Sequence, residues 1–193
     1  LEAWVARAIT QGWVAVDTET DALDSVGGGL VGVSLALAPG EACYIPLAHV
    51  DPDMAAGGGD MFGADPPRQI KMSEAIKVLK PMLEDAAVLK IGQNIKYDLS
   101  VFKRQGIRVA PIDDTMLISF ALNAGIHNHG MDELSERYLG HKPISFKDVA
   151  GSGKTQKTFA QVALDKATEY AAEDADVTLR LWQTLKPRLR TEE

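Results

Sequence analysis

Three short β-type runs crowd the first 46 residues, and the turns between the last two leave no room for a crossover. Trp13-Val14-Ala15-Val16 leads into Asp17. Leu30 to Leu37 is a continuous run closed by Pro39-Gly40, and Ala42 to Pro46 follows at once. Short β-rich runs punctuated by Gly and Pro read as an antiparallel meander. Downstream the period changes from two to about 3.6. Ser73 is placed to cap a helix through about Asp85, with Ala75, Ile76, Leu79 and Leu83 on one face. Ala87-Val88-Leu89 reads as a further strand. A helix is expected from near Ile95 to Gln105, stopped by Gly106. Thr115 to Leu122 and Met131 to Tyr138 also read as helices. A last long helix runs from about Leu164 to Leu189, with a bend near Pro187. Residues 51–68, with Gly57-Gly58-Gly59 and Pro66-Pro67, read as a loop without chemistry. Strands first and helices after predict an α/β domain with a mixed sheet.

Size and composition narrow the function classes. A chain of 193 residues with 46% hydrophobic content fits one domain, 1–193, with a real core. No apolar run approaches a membrane span, and no leader-like start is visible, so no membrane partner is expected. The single cysteine, Cys43, excludes an internal disulfide and suits a cytoplasmic protein. Its strand-like setting, Ala42-Cys43-Tyr44-Ile45, predicts a structural thiol rather than a nucleophile. The first residue is Leu1, so the chain is read as a piece of something longer, and as a monomer. A net charge of −7 argues against a general duplex-DNA binder.

Much of that negative charge sits in three short segments. They are Asp17-Thr18-Glu19, Asn94-Ile95-Lys96-Tyr97-Asp98 and Tyr170-Ala171-Ala172-Glu173-Asp174. Asp17 and Glu19 are two apart on a strand and therefore share a face. Carboxylates so placed repel each other unless a cation lies between them. Asp98 falls one turn into a helix, and Tyr170 and Asp174, four apart, share a helix face. Four carboxylates from three segments can hold two divalent metals, a standard arrangement for cleaving a phosphodiester.

Val16 to Leu23 (VDTETDAL), Val88 to Leu99 (VLKIGQNIKYDL), Asp114-Thr115-Met116-Leu117 and Tyr170 to Leu179 (YAAEDADVTL) together resemble the 3′–5′ proofreading exonuclease domain of bacterial DNA polymerase I. That domain belongs to the superfamily named for four acids and a tyrosine (DEDDy). The resemblance covers nearly the whole chain. It implies an RNase H-like fold, a mixed five-stranded sheet flanked by helices. It implies that Asp17, Glu19, Asp98 and Asp174 bind two divalent metals, Mg²⁺ first, with Mn²⁺ or Zn²⁺ as alternatives. Tyr170 would orient the attacking water, since a phenol is a poor base at neutral pH. Leu23 would wedge against the terminal base and Phe146 would stack near the 3′ end. Thr18 and Thr20 would reach the terminal nucleotide, and Asn94 and Tyr97 would contact the strand or support the site. Lys96 could meet a phosphate or simply be solvated.

The implied activity is removal of nucleoside 5′-monophosphates from single-stranded or frayed DNA 3′ ends, beside a covalently linked polymerase domain. Two alternatives stand: an RNase D-like exoribonuclease with the same ligands, and an inactive scaffold domain. All four acids are present, which weighs against the scaffold. Two other patterns carry less. Ala150 to Thr155 resembles a phosphate-binding loop, but Asp148 stands where that pattern needs glycine. His127 and Asp132 have the spacing of histidine-using sister exonucleases, but at the wrong place in the chain, so Asp132 is read as a helix cap. A zinc site from His127, His129 and His141 lacks a supporting cysteine cluster.

Overall fold

A five-stranded sheet forms the centre of the protein, in a computed structural model that describes residues 1–22, 27–50 and 68–191. Its strands are β1 (Trp13–Thr20), β2 (Leu30–Ala38), β3 (Glu41–Pro46), β4 (Leu89–Gly92) and β5 (Ile112–Asp114), in the order β3-β2-β1-β4-β5. β1, β2 and β3 pair antiparallel, as the meander predicts. β4 and β5 add in parallel on the other side of β1. The sheet is mixed, and β1 lies at the change from antiparallel to parallel pairing.

Alternation along β1 sorts the two faces. Val14 and Val16 pack with Val33, Leu35, Ala75, Leu79 and Leu83. That layer is supplied by helices α1 (Glu2–Gln11) and α2 (Met72–Glu84). Ala15 turns to the opposite face with Ala36 and Ile91, against Ala175 and Leu179 of the long helix α7 (Leu164–Leu185). Small residues at the contact, Ala15, Ala36, Ala171 and Ala175, are all buried and let helix and sheet approach closely. The period of two carries Asp17 and Glu19 to this same face. Their cross-strand partners are Ser34 and Gly32. Gly32 is obligatory in size: a Cβ there would lie 2.1 Å from the Tyr44 hydroxyl.

α7 is tied to the sheet at its middle and its C-terminal end. The Gly40 N–H in the β2–β3 turn donates to Asp176 at 2.6 Å. At the C-terminal end, Trp182 Nε1 and Lys186 Nζ donate to Asp113 of β5 at 2.7 and 2.9 Å. The remaining helices are α3 (Lys96–Arg104), α4 (Thr115–Asn123), α5 (Met131–Leu139) and the short α6 (Phe146–Ala150). Among the described residues no helix is long and apolar enough to cross a membrane.

Several sequence expectations move. Ser73 is not the cap of α2. The helix begins at Met72, with Lys71 extended before it (φ −60, ψ 134), so Ser73 lies inside the first turn. Asp132 is not the cap of α5 either, because Gly130 holds that place (φ −72, ψ 152). Asp132 and Glu133 instead lie in the first turn, where negative charge suits the helix dipole. The fourth strand starts at Leu89 rather than Ala87. The last α-helix stops at Leu185, and Pro187 lies in a 3₁₀ turn beyond it (Lys186–Arg190). α1 and β5 were not anticipated. Residues 51–67 lie outside the described part.

Candidate active site

β1 and α7 bring three carboxylates together. Oxygens of Asp17, Glu19 and Asp174 all lie within 4.8 Å of one another. Asp98, in the first turn of α3, is 2% exposed and close enough to Asp17 and Glu19 to raise Glu19 and be raised by Asp17. Its Oδ1 accepts the Thr18 N–H at 2.9 Å and the Thr18 hydroxyl at 2.5 Å. Thr18 lies between Asp17 and Glu19 and so projects to the other side of the strand, which is how it reaches Asp98. Its hydroxyl is thus engaged, although Thr18 lines the cleft.

Among the described residues no cationic side chain forms an ion pair with these acids. Burial raises the Asp17 carboxyl to about 7. Burial, then Asp17, Asp174 and Asp98, hold Glu19 well above the carboxylate range. Asp98 and Asp174 are raised by burial and then by Asp17. Glu19 Oε1 is buried and, among the described residues, has no hydrogen-bond partner. Leaving a buried carboxylate oxygen unpaired is costly. A hard divalent cation is the partner that an all-oxygen donor set accepts, so these residues fit a metal site.

The cleft around the acids has a volume of about 660 Å³. Tyr170 enters one wall from α7, four residues before Asp174. Its hydroxyl is pushed far up by burial and by Asp174, so it is a neutral phenol that can orient a group but not remove a proton at neutral pH. Phe146 stands at the start of α6, where Ser145 and Asp148 form a capping box. Its ring stacks with Phe159 (centroids 6.3 Å, 20°) and meets Tyr170 edge-on at 6.2 Å. The opposite wall holds Thr20, Ala22 and Tyr97. There the Thr20 hydroxyl is 2.5 Å from the Tyr97 hydroxyl, and both lie within hydrogen-bond distance of the Ala22 carbonyl.

The structure therefore brings Asp17, Thr18, Glu19, Thr20, Tyr97, Phe146, Tyr170 and Asp174 into one cleft, with Asp98 bonded to Thr18 at its edge. Asn94 and Lys96 do not line it. Asn94 has a left-handed φ of 56 at the turn into α3. Its N–H and that of Ile95 donate to the two Asp114 oxygens at 2.9 and 3.0 Å. Asp114 also caps α4 through Met116 N, so Asn94 and Asp114 fix the turn that presents Asp98. Leu23 lies outside the described residues.

Sequence reasoning missed the wall from Gln156 to Phe159 and the acid at Asp21. It also missed Glu173, which accepts from Ile144 N at 2.6 Å and pairs with His141 Nε2 at 2.8 Å. That clamp fixes the segment leading into Phe146. A Thr-x-x-Gln capping pair, Thr158 and Gln161, was legible before the 3₁₀ turn at Phe159. The histidines form no metal site among the described residues. His141 is occupied by Glu173, while His127 bonds to Tyr138 and His129 to Ser119. Cys43 is half-buried with its thiol raised to about 11 by burial, so it is a poor nucleophile.

Comparison with known proteins places the chain in a family. The DNA_pol_A_exo1 family, described as 3′-5′ exonuclease, matches residues 1–190. DNA polymerase I of Rhizobium leguminosarum is 53% identical over 98% of this chain, and that of Pseudomonas aeruginosa 42% identical over 97%. The chain spans only 19% and 20% of those two relatives. Among solved structures, Escherichia coli RNase D, an exoribonuclease, superposes with a TM-score of 0.65 at 18% identity, covering 98% of this chain and 43% of its own. At that identity the likeness supports the RNase H-like fold alone. On the family match and the two relatives, the chain belongs to the DNA_pol_A_exo1 family of 3′-5′ exonucleases.

Proposed function

We propose that this domain removes nucleoside 5′-monophosphates from single-stranded or frayed DNA 3′ ends, as the proofreading module of a polymerase. The observation that carries the reading is the Asp17–Glu19–Asp174 cluster with its unpartnered Glu19 oxygen, set at the foot of an aromatic cleft. Asp17, Glu19, Asp98 and Asp174 would hold two divalent cations, Mg²⁺ first. Such cations, when bound, supply the positive charge that makes water nucleophilic and offsets charge on the leaving oxygen.

The protein's own groups do the rest. Asp98, locked by two bonds from Thr18, contributes a carboxylate whose orientation is set before substrate arrives. Tyr170, a neutral phenol beside Asp174, holds the attacking water in line by hydrogen bonding. Phe146, stacked on Phe159, offers a face to the terminal base. Stacking accepts any base, which suits an enzyme that must not read sequence. Discrimination then comes from fraying, because a mismatched end unpairs more readily and only unpaired nucleotides enter.

The test is cleavage of 5′-labelled single-stranded DNA and matched RNA with Mg²⁺, Mn²⁺ or chelator, using Asp174→Ala as the control. The reading expects metal-dependent release of mononucleotides from the DNA 3′ end and a loss of at least about a hundredfold in Asp174→Ala. Preferential cleavage of RNA would turn the assignment to an exoribonuclease. A folded domain that cleaves neither would make it a scaffold.

A further inference from the structure

The carboxylates account for the chemistry but leave open how a chain of net charge −7 grips a polyanion. Among the described residues lining the cleft, Asp17, Glu19, Asp21 and Asp174 are acidic and Lys157 is the one cation. Asp21 is already engaged, accepting the Gly29 N–H at 2.6 Å. Cations bound at the acids would meet the charge of the phosphate being cut. Phosphates further along the strand still need a partner, and the lysine is on the wall that Phe146 and Phe159 build.

The backbone around Lys157 is fixed while its side chain is free to reach. The Lys157 N–H donates to Ala150 O at 2.9 Å and the Gln156 N–H to Gly153 O at 3.2 Å, closing the 150–157 loop. Immediately after, Thr158 and Gln161 form a capping box, and Phe159 is anchored at 2% exposure. The side chain itself is exposed and takes part in none of the ion pairs among the described residues. An exposed ammonium on a hydrogen-bonded backbone is suited to phosphate. It supplies a point charge without demanding one geometry or one base.

We infer that Lys157 binds a backbone phosphate of the substrate strand, 5′ of the nucleotide being removed, and so sets how tightly the strand is held. This rests on the exonuclease reading above and adds a substrate contact to it.

The test compares wild type, Lys157→Ala and Lys157→Arg on two kinds of substrate with Mg²⁺. One is a series of oligothymidylates of two to eight nucleotides. The other is the p-nitrophenyl ester of thymidine 5′-monophosphate, which has no upstream phosphate. In Lys157→Ala, KM should rise about three- to tenfold on the longer strands, with a smaller effect on kcat and on the ester. The penalty should appear at the length that first supplies the contacted phosphate. Lys157→Arg should restore most of the loss. The slope of log KM against log salt should shrink by about 0.7, one phosphate contact on a single strand. An equal penalty on ester and long strand would mean that the residue only shapes the wall. No penalty on either would mean a solvated lysine. Each of these, with an active wild type, overturns this inference alone. A wild type inactive on every DNA strand would overturn the exonuclease reading and this inference with it.

Discussion

Asp17 carries the cost of the site in its own titration. Its carboxyl is raised from an ordinary value of 3.8 to about 7 by burial, so the folded, metal-free protein binds this proton more tightly than the unfolded chain does. The corresponding stability is fully present below about pH 4 and is lost as pH rises through about 7. Glu19, Asp98 and Asp174 are shifted in the same direction. Metal binding should reverse the loss, because a cation favours the ionised carboxylates. The melting temperature of chelator-treated protein is therefore expected to fall between pH 5 and pH 8, and Mn²⁺ should raise it more at pH 8 than at pH 5. A flat profile with no metal effect would mean that the acids are not electrostatically strained. At this scale the sequence was most readable where spacing has one geometric meaning: two along a strand, four along a helix. It directed Thr18 to the terminal nucleotide and did not foresee that its hydroxyl goes to an aspartate 80 positions away, and it was silent on Lys157, which looks like any surface lysine until the loop folds.

Elements place these residues by being tied at their ends. β4 is only four residues long, yet it must present the turn that carries Asp98. Lys90 secures it. The side chain is fully buried, and its Nζ donates to the carbonyls of Asp85, Val88 and Ala110 at 2.8, 2.6 and 2.5 Å. Those carbonyls come from the segments entering β4 and β5, so one ammonium closes both parallel connections. Lys90→Met would keep the bulk of the side chain and strand the three acceptors. A buried orphan acceptor costs about 1–3 kcal/mol, so the urea midpoint should drop by a corresponding amount. Nuclease activity of the folded fraction should be retained, because Lys90 is outside the cleft. An unchanged midpoint would show that water replaces the ammonium there. The longer elements were legible from periodicity, whereas β5 was not: its three residues, Ile112-Asp113-Asp114, include two acids and no apolar run. Parallel pairing with β4 and the bonds from Trp182 and Lys186 make it a strand. Ser73 and Asp132 misled for a related reason. Both residue types favour caps, but extended backbone at Lys71 and Gly130 set the helix starts upstream of them.

For the whole molecule, the division of labour follows the faces of one sheet. Apolar layers from α1 and α2 stabilise the far face, and α7 covers the near face while delivering Tyr170 and Asp174. The mixed sheet was foreseeable as strands followed by helices, and its five strands through resemblance, but the order β3-β2-β1-β4-β5 was not. Position explains why β1 holds two of the acids. As the central strand at the switch from antiparallel to parallel pairing, its C-terminal end opens toward α3 and α7 together. The chain spans about a fifth of the length of its DNA polymerase I relatives.

Whether Asp17, Glu19, Asp98 and Asp174 hold two divalent cations, as proposed, is read most directly by anomalous diffraction from crystals containing Mn²⁺ and thymidine 5′-monophosphate. Two anomalous peaks about 3.5–4 Å apart are expected, bounded by those four carboxylates, with the nucleotide phosphate between them and the base against Phe146. No peak at the cluster, or Mn²⁺ bound only elsewhere, would contradict it.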